Sequence, residues 1–382
     1  MTFSQYGDYF YLYILLLTLT PAVVLGLLGK NIKYYGIIAS VFMIFLIIGR
    51  DVSLLYFTMF MIFEICLIKG YFYIRQKTKN KYIYWVFLFA SMLPIIINKL
   101  SPYTSFGVIG FIGISYLNFR TIQMIIEIYD GAIKEVNLFK TLYFIIFFPT
   151  LSSGPIDRSR RFEADLENSI PKEEYINDYL VPGFGKILMG VGYKFVLAFL
   201  INTYWMSKIP SDINFVNSIN YMYAYSLYLF FDFAGYSLFA VGTSYILGIK
   251  TPDNFNKPFI SKDMKEFWTR WHISLSRWFG DYIFSRFVIS SMRKKRFKKR
   301  ATAAHVAQMI TMITMGFWHG LTWYYILYGV YQGVVLILTD IYQKKSKFYK
   351  KHKKEKWFEI VQIVITFNIA CFGLLIFSGY FA

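Results

Sequence analysis

Residues 301–339 read ATAAHVAQMITMITMGFWHGLTWYYILYGVYQGVVLILT, with no Lys, Arg, Asp or Glu anywhere in the run. Gly320 divides the run into halves of about 18 residues, each roughly 27 Å long as a helix. A bilayer takes about 20 apolar residues to cross, so two such halves read as two membrane spans joined at a break. The apolar character is continuous rather than alternating, which selects helices over the strands of a barrel. One histidine, His319, sits at the break, between Trp318 and Gly320.

The rest of the chain extends this pattern. Tyr9 to Leu28 and Val52 to Met61 are also uncharged. The 382 residues are 56% hydrophobic, 21% aromatic and 16% charged, with a mean hydropathy of +0.43. These values predict an all-α, polytopic integral membrane protein, because spanning backbone must satisfy its own hydrogen bonds. Spans are expected near 9–28, 34–49, 52–72, 82–98, 106–127, 184–205, 217–231, 234–248, 302–319, 321–340 and 358–378. That is about eleven, in a single membrane domain over 1–382. The apolar segment 140–153, broken by Pro149 and Pro155, is expected to be re-entrant. The first run is too long for a signal core and lacks a basic start, so it reads as the first span.

The net charge of +19 is concentrated in clusters. They read RQKTKNK from Arg75, RKKRFKKR from Arg293 and KKSKFYKKHKKEK from Lys344. In a membrane protein such clusters mark cytoplasmic loops and attract anionic lipids; no soluble domain remains to hold nucleic acid. Placing the Arg75–Lys81 loop inside puts Lys30 and Lys33 inside and the N-terminus outside. The same rule does not close over 140–260.

Residues 250–300 hold no clear span. From Lys265 they run KEFWTRWHISLSRWFGDYIFSRFVISSM, and as one helix Phe267, Trp271, Leu275, Trp278 and Tyr282 would share a face. Glu266 with Arg270 and Arg277 with Asp281 are i,i+4 pairs on other faces. An aromatic face beside charged ones suits an interfacial helix. The two cysteines, Cys66 and Cys371, lie far apart in apolar runs and read as packing residues, with no disulfide framework or metal site. Walker, GxGxxG, HExxH, CxxC and GxSxG patterns are absent.

Four histidines remain. His352 lies in a basic loop, and His305 stands near the cytoplasmic cluster, within reach of headgroups. His319 differs. In a soluble core it would be read as a buried donor to a carbonyl, but an ionisable group inside a bilayer is a functional candidate by default. Gly316 and Gly320, one turn apart, would open the backbone there to a substrate. His272 stands among Arg270, Ser274, Ser276 and Arg277, a dense set of hydrogen-bonding groups on an otherwise aromatic segment. An interfacial packing role for it remains open.

Three motifs carry a resemblance. RWHISLSRWFGDYIF (Arg270 to Phe284), GFWHG (Gly316 to Gly320) and FDFAGYSLFAVG (Phe231 to Gly242) together resemble the membrane-bound O-acyltransferase superfamily, over essentially the whole chain. Within it, TPDNFNKPFISKDMKEFWTRWHISLSRWFGDYIFSRFV and the ending CFGLLIFSG are similar to the subfamily that transfers D-alanine in Gram-positive teichoic acid modification. Alginate O-acetyltransferases share RWHISLS and FWHG, but carry Ser-Asp after Gly-Tyr where this chain has Ser237 and Leu238.

The resemblance implies His319 as the catalytic histidine and His272 as the second signature histidine. It implies a D-alanyl thioester donor on the phosphopantetheine arm of a small acidic carrier protein, with no cofactor bound by the chain itself. The acceptor would be teichoic acid or a relay residue, reached from outside a plasma membrane shared with other D-alanylation proteins. Arg270, Trp271, Ser274, Trp318, Trp323 and Tyr324 are expected to contact substrate. Phe287, Val288, Ile289, Met292 and Arg293, followed by the basic cluster, are expected to dock the carrier; anchoring to membrane lipids is the alternative use of the same residues. A polysaccharide O-acetyltransferase is the alternative enzyme, and a transporter or flippase the alternative class.

Overall fold

The computed structural model describes residues 4–105 and 107–382. The expected span 106–127 thus opens on a residue, Phe106, outside the described ones. Among the described residues there are helices and turns and no strand. Among the described residues, seven helices are long and apolar enough to cross a bilayer: Tyr9–Leu27, Val52–Lys77, Lys81–Tyr103, Lys172–Lys208, Phe215–Ile246, Trp323–Lys345 and Lys356–Phe377.

The difference from eleven has local causes. The expected spans 217–231 and 234–248 are one helix of 32 residues, Phe215–Ile246, which runs straight through Asp232. Lys33–Ile48 is only 16 residues long. The helix within 106–127 starts at Ile114, after a left-handed Gly113. Arg300–His319 has 20 residues, but His305, Gln308 and its threonines dilute its apolar character. Short polar side chains start several helices: Asp8, Asp51 and Asn80 each accept from a backbone N–H two residues on, the usual N-cap arrangement.

The chain folds as two compact units. The first comprises Met1–Val191 with Gly235–Pro252, the second Gly192–Ala234 with Asp253–Ala382.

In the first unit, glycines permit a close helix crossing. A Cβ on Gly183 would lie 2.9 Å from the Gly242 carbonyl oxygen, and one on Gly190 would lie 3.1 Å from that of Gly235. Both glycines in the FDFAGYSLFAVG motif are therefore contact points for the helix carrying PGFGKILMG, the small-residue packing that membrane helices favour. Segment 140–153 forms a helix, Leu138–Ile146, too short to cross, followed by the turn Phe148–Thr150. Buried Arg120 satisfies its end, donating to the carbonyls of Phe144 and Ile145 at 2.8 Å. Glu64, fully buried on the Val52–Lys77 helix, accepts from Ser91 at 2.8 Å and from Asn118 at 3.1 Å.

In the second unit, Arg300–His319 and Trp323–Lys345 form the helical hairpin expected from the break at Gly320. Trp268 and Tyr331 tie this hairpin to its neighbours. The Trp268 indole donates to Gln332 at 3.2 Å, and the Tyr331 hydroxyl to the Ile369 carbonyl at 2.8 Å.

Candidate active site

The segment around His272 is built on a backbone break. Asp263 caps the helix Met264–Arg270 by accepting from the N–H groups of Lys265 and Glu266 at 2.8 and 2.9 Å. The helix stops at Trp271, and His272 adopts φ 44° and ψ 53°, in the left-handed region. A second helix, Ile273–Phe279, starts immediately after, followed by π-helical Gly280–Ser285 and the helix Arg286–Arg293. The single continuous helix expected from the aromatic spacing is therefore broken at its centre. The periodicity survives because Phe267, Trp271, Leu275 and Trp278 are all buried.

A neighbouring loop segment pins the break. Asn256 donates its N–H to the Arg270 carbonyl at 2.9 Å, and Ile273 donates to the Asn254 carbonyl at 2.9 Å. The Asn254 side-chain oxygen then accepts from the Ser274 N–H at 3.2 Å and the Ser274 hydroxyl at 2.6 Å. Asn254 thus serves as an N-cap from another part of the chain, meeting an otherwise unsatisfied donor. The role of Asn254 as cap to this helix is hidden in the sequence, since a cap normally stands just before its helix.

His272 is buried, with the ring of Phe233 4.8 Å from its own. Burial pushes its pKa down to about 3, because a low-dielectric setting disfavours the imidazolium. The ring is neutral at cellular pH. Trp271 lies in an aromatic cluster, stacked on Phe267 at 5.6 Å and edge-on to Phe255 at 5.2 Å. Arg270 forms an ion pair with Glu266 at 2.6 Å, the i,i+4 pair expected. The residues around the first histidine therefore hold its backbone and bury its ring.

His319 is the last residue of Arg300–His319 and is half-buried. Its imidazole is boxed by aromatics: Trp318 at 4.6 Å, Phe377 at 4.8 Å, Tyr325 at 5.9 Å and Tyr328 at 6.2 Å between ring centres. Trp323 is exposed and Tyr324 half-buried, its ring edge-on to that of Trp323 at 6.0 Å. Gly316 and Gly320 play a different part from the one expected. A Cβ on Gly316 would lie 2.5 Å from the Tyr325 carbonyl oxygen, and one on Gly320 would lie 2.5 Å from the Tyr325 ring. The space they leave is taken by the returning helix, so they close the hairpin rather than admit a substrate.

The two histidine settings meet one common helix. Phe259, in the Trp271 cluster, touches Phe367 edge-on at 5.3 Å. Phe377, against His319, lies ten residues further along the same helix, Lys356–Phe377, about 15 Å at 1.5 Å per residue.

On Arg286–Arg293, Ile289 and Met292 are exposed, one helical turn apart, and Arg293 to Arg296 are exposed beyond them. Phe287 is half-buried beneath the Arg296 guanidinium, 6.0 Å from its ring centre. Val288 is buried, so its helix face points inward. His305 is not aimed at headgroups: its Nε2 lies 2.9 Å from Asp340, which also pairs with Lys265 and Lys344 at 2.6 Å.

With this geometry, the chain belongs to the membrane-bound O-acyltransferase family, whose model matches residues 41–381. It is a multi-pass membrane protein of that family. It is 44% identical to the teichoic acid D-alanyltransferase of Bacillus subtilis, over 98% of both chains. It is 40% identical to the protein of that name from Streptococcus thermophilus, over 99% of this chain and 95% of the relative. The probable alginate O-acetylase AlgI of Pseudomonas syringae is 29% identical over 73% of this chain and 51% of its own length.

Proposed function

We propose that this chain is a membrane O-acyltransferase that moves D-alanine from a phosphopantetheine thioester on an acidic carrier protein toward hydroxyls of teichoic acid. Residues 1–382 act together as one catalytic membrane domain. The observation that carries the reading is end-to-end similarity to two proteins named teichoic acid D-alanyltransferase. The aromatic box around His319 supports it. The alginate O-acetylase similarity covers about half of that relative, which makes acetyl transfer the secondary reading.

A hydroxyl attacks a thioester slowly unless a base takes its proton. His319 is the base. The acceptor oxygen bonds to the D-alanyl carbonyl carbon while its proton passes to the imidazole. The carbon–sulfur bond then breaks, and the proton leaves with the thiolate as the free pantetheine thiol. General-base catalysis of this kind contributes about 10²–10⁴ in rate. Trp318, Tyr325, Tyr328 and Phe377 limit water around the ring, which protects the thioester from hydrolysis. His272, neutral and fixed by its backbone, orients the incoming pantetheine arm, with Arg270, Trp271 and Ser274 shaping that end.

The carrier docks on Ile289, Met292 and the basic run from Arg293, with Phe287 at the edge of the patch. An acidic partner with a small apolar spot matches both features. In this reading the basic run faces the cytoplasm of a Gram-positive cell, and a cytoplasmic Arg75–Lys81 loop puts the N-terminus outside. His319 then opens toward the outer side, one helix away from the cluster.

The deciding experiment supplies reconstituted protein with carrier loaded with labelled D-alanine or with an acetyl donor. D-alanyl transfer that depends on His319 supports the reading. Acetyl transfer alone would replace it with the secondary one. Topology is checked by labelling single cysteines with an impermeant maleimide on intact cells, after Cys66 and Cys371 are removed. Thr322→Cys is expected to label from outside and the exposed Thr269→Cys only after permeabilisation; the reverse pattern overturns the orientation.

A further inference from the structure

Asp232 is a carboxylate in the middle of a helix long and apolar enough to span a bilayer. It is paired with Lys194, from another spanning helix, Lys172–Lys208, at a point where that helix widens into the π-helical stretch Gly192–Ala198. Two features set this pair apart from a surface salt bridge. Charges inside a bilayer face one another or water rather than hydrocarbon. The Asp232 side chain keeps 35% of its surface exposed and that of Lys194 14%, so the two charges compensate one another without being sealed in a packed core. In addition, π-helical insertions recur at functional sites.

The neighbours of Asp232 connect it to the candidate site. Phe230 lies 6.2 Å from the Trp271 ring and Phe233 lies 4.8 Å from the His272 ring. Tyr193, next to Lys194, packs edge-on against Phe231 at 5.2 Å. The ion pair and this aromatic contact therefore lock the two helices together at the level where one of them covers the signature residues.

We infer that Lys194 and Asp232 are a positioning pair for the acyl-transfer site. Their ion pair holds the local stretch of Phe215–Ile246 that lays Phe230 on Trp271 and Phe233 on His272. Neither residue touches the reacting atoms. Without the pair, the stretch around Phe230 and Phe233 loses its anchor, Phe233 shifts off His272, and the donor end of the site loses its shape. The inference rests on the acyl-transfer reading for its kinetic consequence, but not for its structural one.

The test uses full-length protein in lipid nanodiscs. Lys194→Met combined with Asp232→Leu removes both charges, so no unpaired charge remains in the membrane. Diethylpyrocarbonate modification of His272, followed by peptide mass spectrometry, reports whether its ring is still covered. Maleimide labelling of the buried Cys371 reports whether the unit as a whole remains folded. We expect His272 to be modified at least tenfold faster in the double variant while Cys371 stays protected. Turnover with D-alanyl carrier is expected to fall by about 100-fold, the scale of a misplacement of about 1 Å, with the KM for carrier unchanged. The exchanged pair, Lys194→Asp with Asp232→Lys, is expected to restore His272 protection. Wild-type turnover in the double variant overturns the inference, as does unchanged protection of His272. Joint loss of Cys371 and His272 protection overturns it too, by making the pair a general structural element. If the wild type transfers no D-alanine, the acyl-transfer reading falls, and His272 protection still decides the role of the pair.

Discussion

Phe377 meets His319 edge-on, with ring centroids 4.8 Å apart and ring planes at 82°. The contact brings a residue near the end of the chain against a histidine nearly sixty positions earlier. It fixes the plane of the imidazole and therefore the direction in which its ring nitrogens point. Phe377→Ala is expected to lower turnover by about tenfold to 100-fold, as a base loses its alignment, with little change in the KM for carrier. Steady-state kinetics on reconstituted protein measures this. A pure rise in KM would place Phe377 in substrate binding instead.

His319→Ala is expected to keep the fold and lose about 10²–10⁴ of the transfer rate. D-alanine ester content of cells carrying the variant at normal membrane levels provides the check. Wild-type ester content would remove His319 from the role of base.

The hairpin glycines give a prediction about stability. A methyl on Gly316 would lie 2.5 Å from the Tyr325 carbonyl oxygen and 3.3 Å from Gly329 Cα. Overpacking of this kind costs about 1–3 kcal/mol, so Gly316→Ala is expected to lower the melting temperature in detergent. Gly185→Ala is the control, because nothing lies within 4 Å of its would-be Cβ. That helical site gains from Ala by about 0.5–1 kcal/mol. Equal melting of the two variants would mean that the hairpin can spread to take the added atom.

Reversing charge at Arg293, Lys294, Lys295 and Arg296, all exposed, is expected to weaken carrier binding and flatten its salt dependence. Exposed charges act over about 8–10 Å at physiological ionic strength. Pull-down of loaded carrier across a salt series reads both effects. Unchanged binding at low salt would assign the cluster to lipids alone.

The buried His272 sets a pH dependence. Its pKa is held at about 3 in the folded chain, against about 6.5 in an unfolded one. Between these values the unfolded chain binds a proton that the folded chain refuses. Stability is thus highest above pH 6.5 and declines as pH falls toward 3, by up to about 1.4 kcal/mol per pH unit from this group. His272→Asn, which tolerates the left-handed backbone, is expected to flatten the acid limb of a melting-temperature profile. An identical acid limb would show that His272 becomes exposed and protonated before the chain unfolds.

The helical membrane class, the break at Gly320 and the two histidine segments were legible in the sequence because each is written in contiguous residues. Three features were not. The left-handed turn at His272 hides within an aromatic spacing that stays in register across it. Its cap, Asn254, comes from a separate stretch of chain. Asp232 looked like a boundary between two spans, because a lone charge marks the end of an apolar run. Its partner Lys194 stands 38 positions earlier, and only the fold reveals that the charge is compensated. The glycines beside His319 misled for a related reason, since the residue that fills their space, Tyr325, lies on the other arm of the hairpin.

The cap that Asn254 supplies to Ile273–Phe279 has a consequence for biosynthesis. A helix of seven residues is too short to hold itself in water or lipid without help. Asn254 and Asn256 leave the ribosome before His272 and are available to pair when it emerges. Their hydrogen bonds give the later residues a surface to fold against. The histidine's unusual backbone is therefore an inherited shape, passed to it by chain already synthesised.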